Sequence, residues 1–260
     1  MPELPEVEHA ARVLRDAAVA KTVRDVRVLH RSQRRVLRPR DVARLRGARI
    51  IRVERRGKHQ LLALSTGDTL VVHFRMTGDW LVDNARGGLA PYARVVLELE
   101  DGVRVSLVDP RALSTVTLHR AGSASLPVLG PDAADPTIGV ETFGKALARR
   151  RVAIKLALLD QRVLAGVGNI YAAEALWLAR IHPRAVASSL RRARQARLLE
   201  AVRSVLDKAQ RSTGRYREDG AGRFKVYDRE GLPCSRCGRA IRRIVQGQRS
   251  TYYCPHCQRR

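Results

Sequence analysis

Residues 50–74 read IIRVERRGKHQLLALSTGDTLVVHF, and the pattern of this stretch is typical of the first half of the chain. It contains three short apolar runs, Ile50–Val53, Gln60–Leu64 and Leu70–Phe74, and the last two are separated by the turn-forming residues STGD. Apolar runs that recur about every eight to twelve residues are typical of antiparallel strands. The same rhythm continues across residues 23–119, so we predict an antiparallel β-sandwich or barrel there.

The rest of the chain has a different texture. Apolar residues at helical spacing predict a helix from Leu4 to about Ala20, and helical periodicity returns after a Gly-, Pro-, Ser- and Ala-rich stretch at residues 121–139. We therefore predict an α+β protein. Its expected parts are a β-sandwich domain with an N-terminal helix (1–120), a linker (121–137), a helical domain (138–212), a flexible loop and linker (213–233) and a cysteine module (234–260).

The net charge of the chain is strongly positive. Lys and Arg total 50 against 25 for Asp and Glu, which gives +25 at pH 7, while 45% hydrophobic residues can supply a real core. A folded body this basic indicates a polyanion partner. Nucleic acid is favoured over an anionic membrane, because we find no basic amphipathic helix with a bulky aromatic face. No apolar run approaches the ~20 residues that span a membrane, and no secretory leader is visible, so we expect a cytoplasmic, nucleoid-associated protein.

All four cysteines lie near the C-terminus, as Cys234-x2-Cys237 and Cys254-x2-Cys257. Each pair can direct two thiolates at one ion, so the spacing predicts one structural Zn²⁺ with four sulfur ligands and no open position. Disulfide pairing is the alternative, which a cytoplasmic location disfavours. We interpret His256, inside the second pair, as a surface residue.

The chain begins MPELPE. An initiator methionine ahead of proline is normally removed, and Pro2 would then carry a free secondary amine. An α-amino group titrates near ~7.7–8, against ~10.4 for lysine, so a useful fraction is unprotonated at neutral pH. Addition of this amine to a sugar aldehyde carbon would give a cationic iminium, a strong electron sink. Glu3 would lie beside it and Glu6 one helical turn further on. The alternative is structural, because proline and acidic residues both favour the first turn of a helix.

The sequence GVGN at residues 166–169 suggests a nucleotide-binding loop, but the third glycine and the preceding strand are missing. We predict instead a tight turn and a helix that begins at Asn169. The backbone amides at this helix start, together with the Asn169 side chain, would form a cradle for phosphate. An ordinary N-cap asparagine is the alternative.

These pieces, in this order, resemble the bacterial formamidopyrimidine-DNA glycosylase and endonuclease VIII family of base-excision repair enzymes. The resemblance runs through essentially the whole chain. It is carried by PELPEVE (2–8), RRGK (55–58), HFRMTG (73–78), DPR (109–111), AIK (153–155) with Leu159-Asp160, GVGNIYA (166–172), and the cysteine module with QRST (248–251).

The resemblance implies a catalytic β-sandwich domain, a helix-two-turn-helix DNA-binding domain and a zinc-ribbon hairpin. Together they would bind damaged double-stranded DNA with the base flipped out. Pro2 would attack the sugar C1′ and expel an oxidised base, and β- and δ-elimination would nick the strand on both sides of the sugar. Glu3 would protonate the sugar or shuttle protons. Lys58 would contact phosphate and assist elimination, and Arg249 would grip the phosphates that flank the lesion.

The resemblance also implies DNA contacts outside this catalytic set. Met76 would fill the gap left by the flipped base, with Arg111 facing the orphaned partner; core gap-filling is the alternative for Met76. No small-molecule cofactor is implied, and we expect a monomer. The full set of expected DNA-binding residues is Glu6, Met76, Arg111, Leu113, Arg150 (from the run 149–151), Lys155 and Asn169.

Two segments depart from the purine-specific branch of this family. That branch usually reads DPRRFG where this chain has DPRALS at 109–114, so Leu113 replaces an aromatic wedge, and Tyr92 stands where a histidine is usual. The segment 212–225 is shorter than the branch's lesion-covering loop, and its end resembles the endonuclease VIII branch. Expected substrates are formamidopyrimidine and 8-oxoguanine-type purines, with oxidised pyrimidines as a further class.

Two competing hypotheses remain at this level. The altered segment 111–114 motivates a non-catalytic lesion-binding or architectural DNA protein on the same scaffold. A zinc-ribbon transcription or translation factor would explain the cysteines and the charge, but it leaves the acidic-proline start unexplained.

Overall fold

The structure is a computed structural model and describes residues 1–84, 86–123, 126–211 and 224–259. The loop predicted at residues 213–222 lies outside the described residues. The chain forms two compact units, one of residues 1–2 and 6–127 and the other of residues 3–5 and 128–260. No helix in the described ranges is long and apolar enough to cross a membrane.

Two four-stranded antiparallel sheets make up most of the first unit. One has the order β1–β6–β7–β5 and the other the order β2–β3–β4–β8. Both lie in the chain segment where the apolar runs recur. The strands are β1 (Val23–Val28), β2 (Ile50–Arg56), β3 (His59–Leu64), β4 (Thr69–His73), β5 (Asp79–Asn84), β6 (Ala93–Leu99), β7 (Val103–Val108) and β8 (Thr115–His119).

A single apolar core receives side chains from both sheets. Leu97 of β6 and Leu62 of β3 belong to the same buried cluster, and the helix α1 (Leu4–Ala18) adds Val7 and Leu14. In β3 every second residue is buried, as the two-residue period of a strand with one covered face requires. The predicted antiparallel β-sandwich with an N-terminal helix is confirmed.

Two short helices interrupt the region that the sequence predicts as strands throughout. They are α2 (Arg31–Arg34) and α3 (Pro39–Leu45). Pro39 occupies the first turn of α3, where a missing N–H costs nothing, and Asp41 accepts a hydrogen bond from the Arg38 N–H at 3.0 Å. Pro39, with the acidic residue Asp41 two positions later, was the local signal for α3.

The second unit is helical and ends in a two-stranded hairpin, as predicted. α6 is buried along most of its length and lies at the centre of the apolar core. α5 ends at Leu159, where the chain leaves the helical conformation at Asp160. The elements are α4 (Val140–Ala148), α5 (Ile154–Leu159), α6 (Asn169–Leu178), a short 3-10 helix (Ala187–Ser189), α7 (Arg192–Arg211), β9 (Arg242–Gln246) and β10 (Arg249–Tyr253).

Part of the segment predicted as a linker packs within the second unit. Gly130 and Ala133 donate backbone N–H groups to the carbonyl oxygens of Gln161 and Ala165, each at 2.9 Å. Ala133 is also buried in the helical core. The small residues of this segment allow the two stretches of backbone to approach closely. The composition that suggests a linker therefore belongs to a packed segment in this protein.

Candidate functional site

The Glu3 side chain is fixed at the start of α6. It is 1% exposed, and its carboxylate accepts N–H groups from Gly168 (2.9 Å), Ile170 (2.9 Å) and Tyr171 (3.3 Å). A helix leaves these first N–H groups without partners of its own, and its dipole favours an anion at this end. The start of α6 therefore binds the carboxylate of Glu3, the residue that directly follows Pro2 in the chain.

The two glycines of the GVGN segment make room for this N-terminal segment. A Cβ atom added to Gly168 would collide with the Glu3 carboxyl group, and one added to Gly166, which has φ +103°, would collide with Leu4. The Leu4 N–H also donates to the Gly166 carbonyl oxygen at 3.1 Å. The predicted phosphate cradle is thus corrected, because the amides at this helix start already bind a carboxylate of the chain itself.

Lys155 and Asn169 hold the hairpin of β9 and β10. The Lys155 ammonium group donates to the Ser250 carbonyl oxygen at 2.8 Å and to Thr251 Oγ1 at 2.6 Å, and Asn169 Nδ2 donates to the same carbonyl oxygen at 3.1 Å. Asn169 does not act as an N-cap, since Gly168 occupies that position. The next residue back along β10, Arg249, is exposed. Both donors therefore help to orient the strand that presents Arg249.

Lys155 itself is fully buried. Burial, reinforced by the nearby positive charge of Arg249, lowers its pKa to about 8, and Glu3 opposes this shift. Its ammonium group donates two hydrogen bonds to the hairpin, and a direct contact between Lys155 and DNA stays a prediction. The AIK motif identified the residue but carried no information about its burial.

A partly buried ion-pair network adjoins Lys58 in the first unit. Lys58 lies in the two-residue turn between β2 and β3 and is 8% exposed. Arg55 donates to Glu8 Oε2 at 2.9 Å and to the Gly57 carbonyl oxygen at 3.0 Å, and Arg15 donates to Glu8 Oε1 at 2.9 Å. Burial pushes the pKa of Glu8 upward, but the two arginines outweigh it and hold the pKa below its usual value. Through Arg55, Glu8 steadies the turn that carries Lys58.

Two histidines also lie beside this turn. His59 and His73 are directly paired across β3 and β4, and their rings pack edge to face with the two ring centroids 4.6 Å apart. Burial, helped by the charges of His59, Arg75 and Lys58, lowers the pKa of His73 to about 3, and burial likewise lowers the pKa of His59. Both rings are therefore neutral at physiological pH and add no positive charge next to Lys58.

Asp109 joins the Met76 turn to the Arg111 loop. It is fully buried, its Oδ1 accepts from Thr77 Oγ1 and from the Arg111 N–H (3.2 Å), and its Oδ2 accepts from the Ser114 N–H at 2.7 Å. Met76 is 36% exposed, which excludes a core gap-filling role. The altered DPRALS segment thus keeps an ordered loop.

The remaining expected DNA contacts lie at or near the surface. Leu113 is 44% exposed and Glu6 is half-buried. Arg150 forms an ion pair with Asp160 at 2.9 Å, and its side chain is about one-third exposed. Any role of these residues in DNA binding stays a prediction.

Sequence reasoning missed Glu174. Its buried carboxylate accepts the backbone N–H groups of Lys225, Val226 and Tyr227, each at 2.9 Å, while burial raises its pKa. It therefore fixes the chain where the described residues resume. A single acidic residue within the apolar helix sequence NIYAAEALWL was the available signal.

The four cysteine sulfur atoms lie within 4.8 Å of one another and could hold a metal ion. All four are free thiols, so the disulfide alternative fails. The Trp177 indole N–H donates to Cys234 Sγ at 3.5 Å, and the Arg236 guanidinium lies 3.7 Å from the centroid of the Trp177 ring. These contacts join the cysteine module to the end of α6, and His256 is exposed as predicted.

Comparison with known proteins agrees with this geometry. Residues 1–116 match the formamidopyrimidine-DNA glycosylase N-terminal domain, 129–218 match the H2TH domain of the same enzymes, and 231–260 match a zinc finger found in FPG and IleRS. The formamidopyrimidine-DNA glycosylase of Chloroflexus aggregans is 42% identical over 273 residues, covering 99% of this chain and 98% of that protein. The Ligilactobacillus salivarius enzyme of the same name is 37% identical, with 99% of each chain covered.

Solved structures extend the likeness to the fold. The MutM (Fpg) protein of Thermus thermophilus has a TM-score of 0.85 at 39% identity and covers 99% of this chain and 98% of its own. The Lactococcus lactis Fpg in complex with DNA containing an abasic site has a TM-score of 0.89 at 28% identity, with 99% of this chain and 100% of that chain covered. The chain belongs to the formamidopyrimidine-DNA glycosylase family.

Proposed function

We propose that this protein is a bifunctional DNA glycosylase and abasic-site lyase of base-excision repair that removes oxidised bases. The observation that carries the proposal is the placement of Glu3. Three N–H donors of α6 fix its carboxylate, so the backbone beside Pro2 is anchored on its C-terminal side. An anchored terminus can present its nitrogen to a substrate atom repeatedly in one geometry.

The proposed chemistry begins at the Pro2 nitrogen once Met1 has been removed. The unprotonated amine forms a bond to the deoxyribose C1′, and the C1′–N bond to the damaged base breaks as the base takes up a proton. The sugar ring then opens, with Glu3 moving the proton that the ring oxygen requires. The product is an iminium ion between Pro2 and C1′, which withdraws electrons from the rest of the sugar.

Strand cleavage follows from the iminium ion. Loss of a C2′ proton allows the 3′-phosphate to leave, and a second elimination expels the 5′-phosphate. Lys58 and Arg249 are the cations that we assign to these phosphates. Lys58 is held on a turn steadied by Arg55, and Arg249 on a strand held by Lys155 and Asn169. Hydrolysis of the iminium finally returns the free amine.

We infer that one Zn²⁺ occupies the cysteine cluster in a structural role. Cys234, Cys237, Cys254 and Cys257 would hold the ion through four thiolates, and a full cysteine set would leave no position for water. The ion would stiffen the hairpin that presents Arg249. The preferred lesions are formamidopyrimidine and 8-oxoguanine-type purines, with oxidised pyrimidines as a further class. The enzyme acts as a monomer on duplex DNA, with no small-molecule cofactor.

Borohydride trapping tests the proposal. Incubation with abasic-site duplex and borohydride should reduce the iminium to a stable protein–DNA adduct, and Pro2→Gly should abolish that adduct. Pro5→Ala is the matched control, since it changes a proline of the same segment that has no free amine and should retain trapping. Intact mass should show a chain without Met1.

A chain that retains Met1, forms no adduct and yet binds abasic duplex would overturn the enzymatic assignment. That result would support a lesion-binding protein on this scaffold. Base specificity is read from release of oxidised purines and pyrimidines placed opposite each normal base.

A further inference from the structure

A concave pocket of about 570 Å³ lies beside the Asp109–Ser114 loop in the first unit. It lies between the segment His30–Arg35, which includes α2, and the loop that carries Arg111. Its described lining includes His30, Arg31, Ser32, Arg35, Arg94 and Arg111. This pocket belongs to none of the elements assigned to the chemistry above.

The pocket carries a concentrated positive charge. Four arginines line it, and no acidic side chain belongs to its described lining. Across the described part of the chain, the Arg31 and Arg35 guanidinium groups make no hydrogen bond or ion pair, and both side chains are exposed. Elsewhere in this unit arginines are paired with carboxylates, as Arg44 is with Asp68 and Arg104 with Asp83. A concave surface with uncompensated charge focuses its field on an anion.

The pocket is also organised in advance of any ligand. Arg94 donates to the carbonyl oxygens of Asp109 (2.7 Å) and Pro110 (3.1 Å), which fixes its guanidinium without neutralising it. Ser32 Oγ donates to the Ala112 carbonyl oxygen at 3.3 Å, and Gln33 Nε2, which is buried, donates to that of Ser114. α2 and the loop are thus held together, so the backbone of both pocket walls and the Arg94 guanidinium need little reorganisation to bind.

We propose that this pocket binds a backbone phosphate of the undamaged DNA strand. The inference rests on the proposed function and on the role that the family resemblance implies for Arg111, which is to face the orphaned base. Phosphates next to that base belong to the undamaged strand, and Arg111 forms part of the pocket wall. Arg31, Arg35 and Arg94 are guanidinium donors, whose fork geometry suits phosphate oxygens. The short helix α2 therefore contributes to the recognition of duplex DNA.

The salt dependence of DNA binding tests this site. Two probes are used. The first is a duplex with a borohydride-reduced abasic site, which the protein cannot cleave. The second is the damaged strand of that duplex as a single strand. For the double variant Arg31→Gln/Arg35→Gln we expect the slope of log K against log salt on the duplex to become shallower by about 1 to 2, since each phosphate contact adds about 0.9. The slope on the single strand should match that of the original protein.

A charge-matched control is Arg27→Gln/Arg40→Gln. Both arginines are exposed and lie outside the pocket lining, so the duplex slope should stay within about 0.5 of the original. An unchanged duplex slope for Arg31→Gln/Arg35→Gln overturns the proposal. An equal decrease of the slope on the single strand, or in the control variant Arg27→Gln/Arg40→Gln, also overturns the proposal.

Failure of this inference is distinguishable from failure of the proposed function. Trapping of the original protein on an unreduced abasic duplex reports the chemistry, whereas the slope on the reduced duplex reports the pocket. At saturating protein, Arg31→Gln/Arg35→Gln should still form the trapped adduct.

Discussion

The Gly168 N–H donates to the Glu3 carboxylate at 2.9 Å, and the missing side chain of Gly168 leaves the space in which that carboxylate lies. One residue thus supplies both a donor and a vacancy. A substitution that adds a Cβ atom fills this space, and the resulting collision with the Glu3 carboxyl group moves the carboxylate away from the N–H donor as well.

Gly168→Ala should therefore displace Glu3 and the proline before it. Base excision and lyase rates should both fall on the order of 10²-fold, the cost of a misplacement of about 1 Å at a reacting group. Gly139→Ala is the control, because a Cβ there meets no atom closer than 4.0 Å and its φ of −79° suits alanine. Single-turnover kinetics on a lesion duplex measure both variants. Near-normal rates for Gly168→Ala would contradict the assigned role of Glu3.

Glu8→Gln should destabilise the first unit and slow strand cleavage. It removes the ion pair between Glu8 and Arg55, whose side chain is 8% exposed, and loosens the turn that carries Lys58. Since the pair is only partly buried, we expect a loss of about 2 kcal/mol in the free energy of unfolding, below the 3–5 kcal/mol of fully buried pairs. Glu141→Gln, which removes an exposed pair with Lys145, should cost at most about 0.5 kcal/mol.

The Glu8 effect has a defined pH dependence. Because the folded-state pKa of Glu8 is lowered, its stabilisation is full above the ordinary pKa near 4.5 and is lost as pH falls through the lower, folded value. Denaturant unfolding of the original protein and Glu8→Gln should thus converge in acid. A difference between the two proteins that stays constant down to pH 2 would show that the Glu8 charge is not responsible.

Removal of the metal should be visible at Trp177. Its indole N–H contacts Cys234 Sγ, and the Arg236 guanidinium lies over the ring, so separation of the thiolates changes the surroundings of the indole. In a Trp80→Phe background, a chelator should shift Trp177 emission as one zinc per chain is released. DNA affinity should fall at least about tenfold as the Arg249 hairpin loosens.

Trp177→Phe is the control for this experiment. It removes the optical signal, but chelation should still weaken DNA binding. Full zinc release with unchanged emission and unchanged affinity would separate the metal from the hairpin.

Local patterns in the sequence predicted much of the fold. The alternation of the strands and the helical spacing at Leu4–Ala18 are periods that neighbouring residues repeat. The paired cysteines are likewise a local signal, because each pair is separated by only two residues. α2 and α3 were not predicted, because they are short helices among strands and their main signal is the capping residues. A run of seven residues or fewer cannot establish a helical period.

The site was less predictable because its key partners are backbone groups distant in sequence. Glu3 binds amides of residues 168–171 and Glu174 binds amides of 225–227, and a backbone N–H leaves no mark on residue type. The motif around Lys155 identified an important cation but could not tell a surface contact from a buried anchor. Burial of Lys155 depends on β10, about 95 residues further along the chain.

That burial gives Lys155 its own pH signature. Its folded-state pKa of about 8 lies below the ordinary 10.5, so the folded chain is penalised while Lys155 is protonated. The penalty is full below about pH 8 and is relieved as pH rises toward 10.5, because the unfolded chain then binds more protons than the folded one. The shift in pKa limits this penalty to about 3 kcal/mol.

The experiment uses a Trp80→Phe background, in which Trp177 reports the unfolding of the second unit. Between about pH 8 and 10.5, the stability of the parent should rise relative to that of Lys155→Met. Lys145→Met, at an exposed lysine of the same unit, should track the parent at every pH. Parallel curves for the parent and Lys155→Met would mean that the ammonium group is not held in the dry setting that its contacts with Ser250 and Thr251 imply.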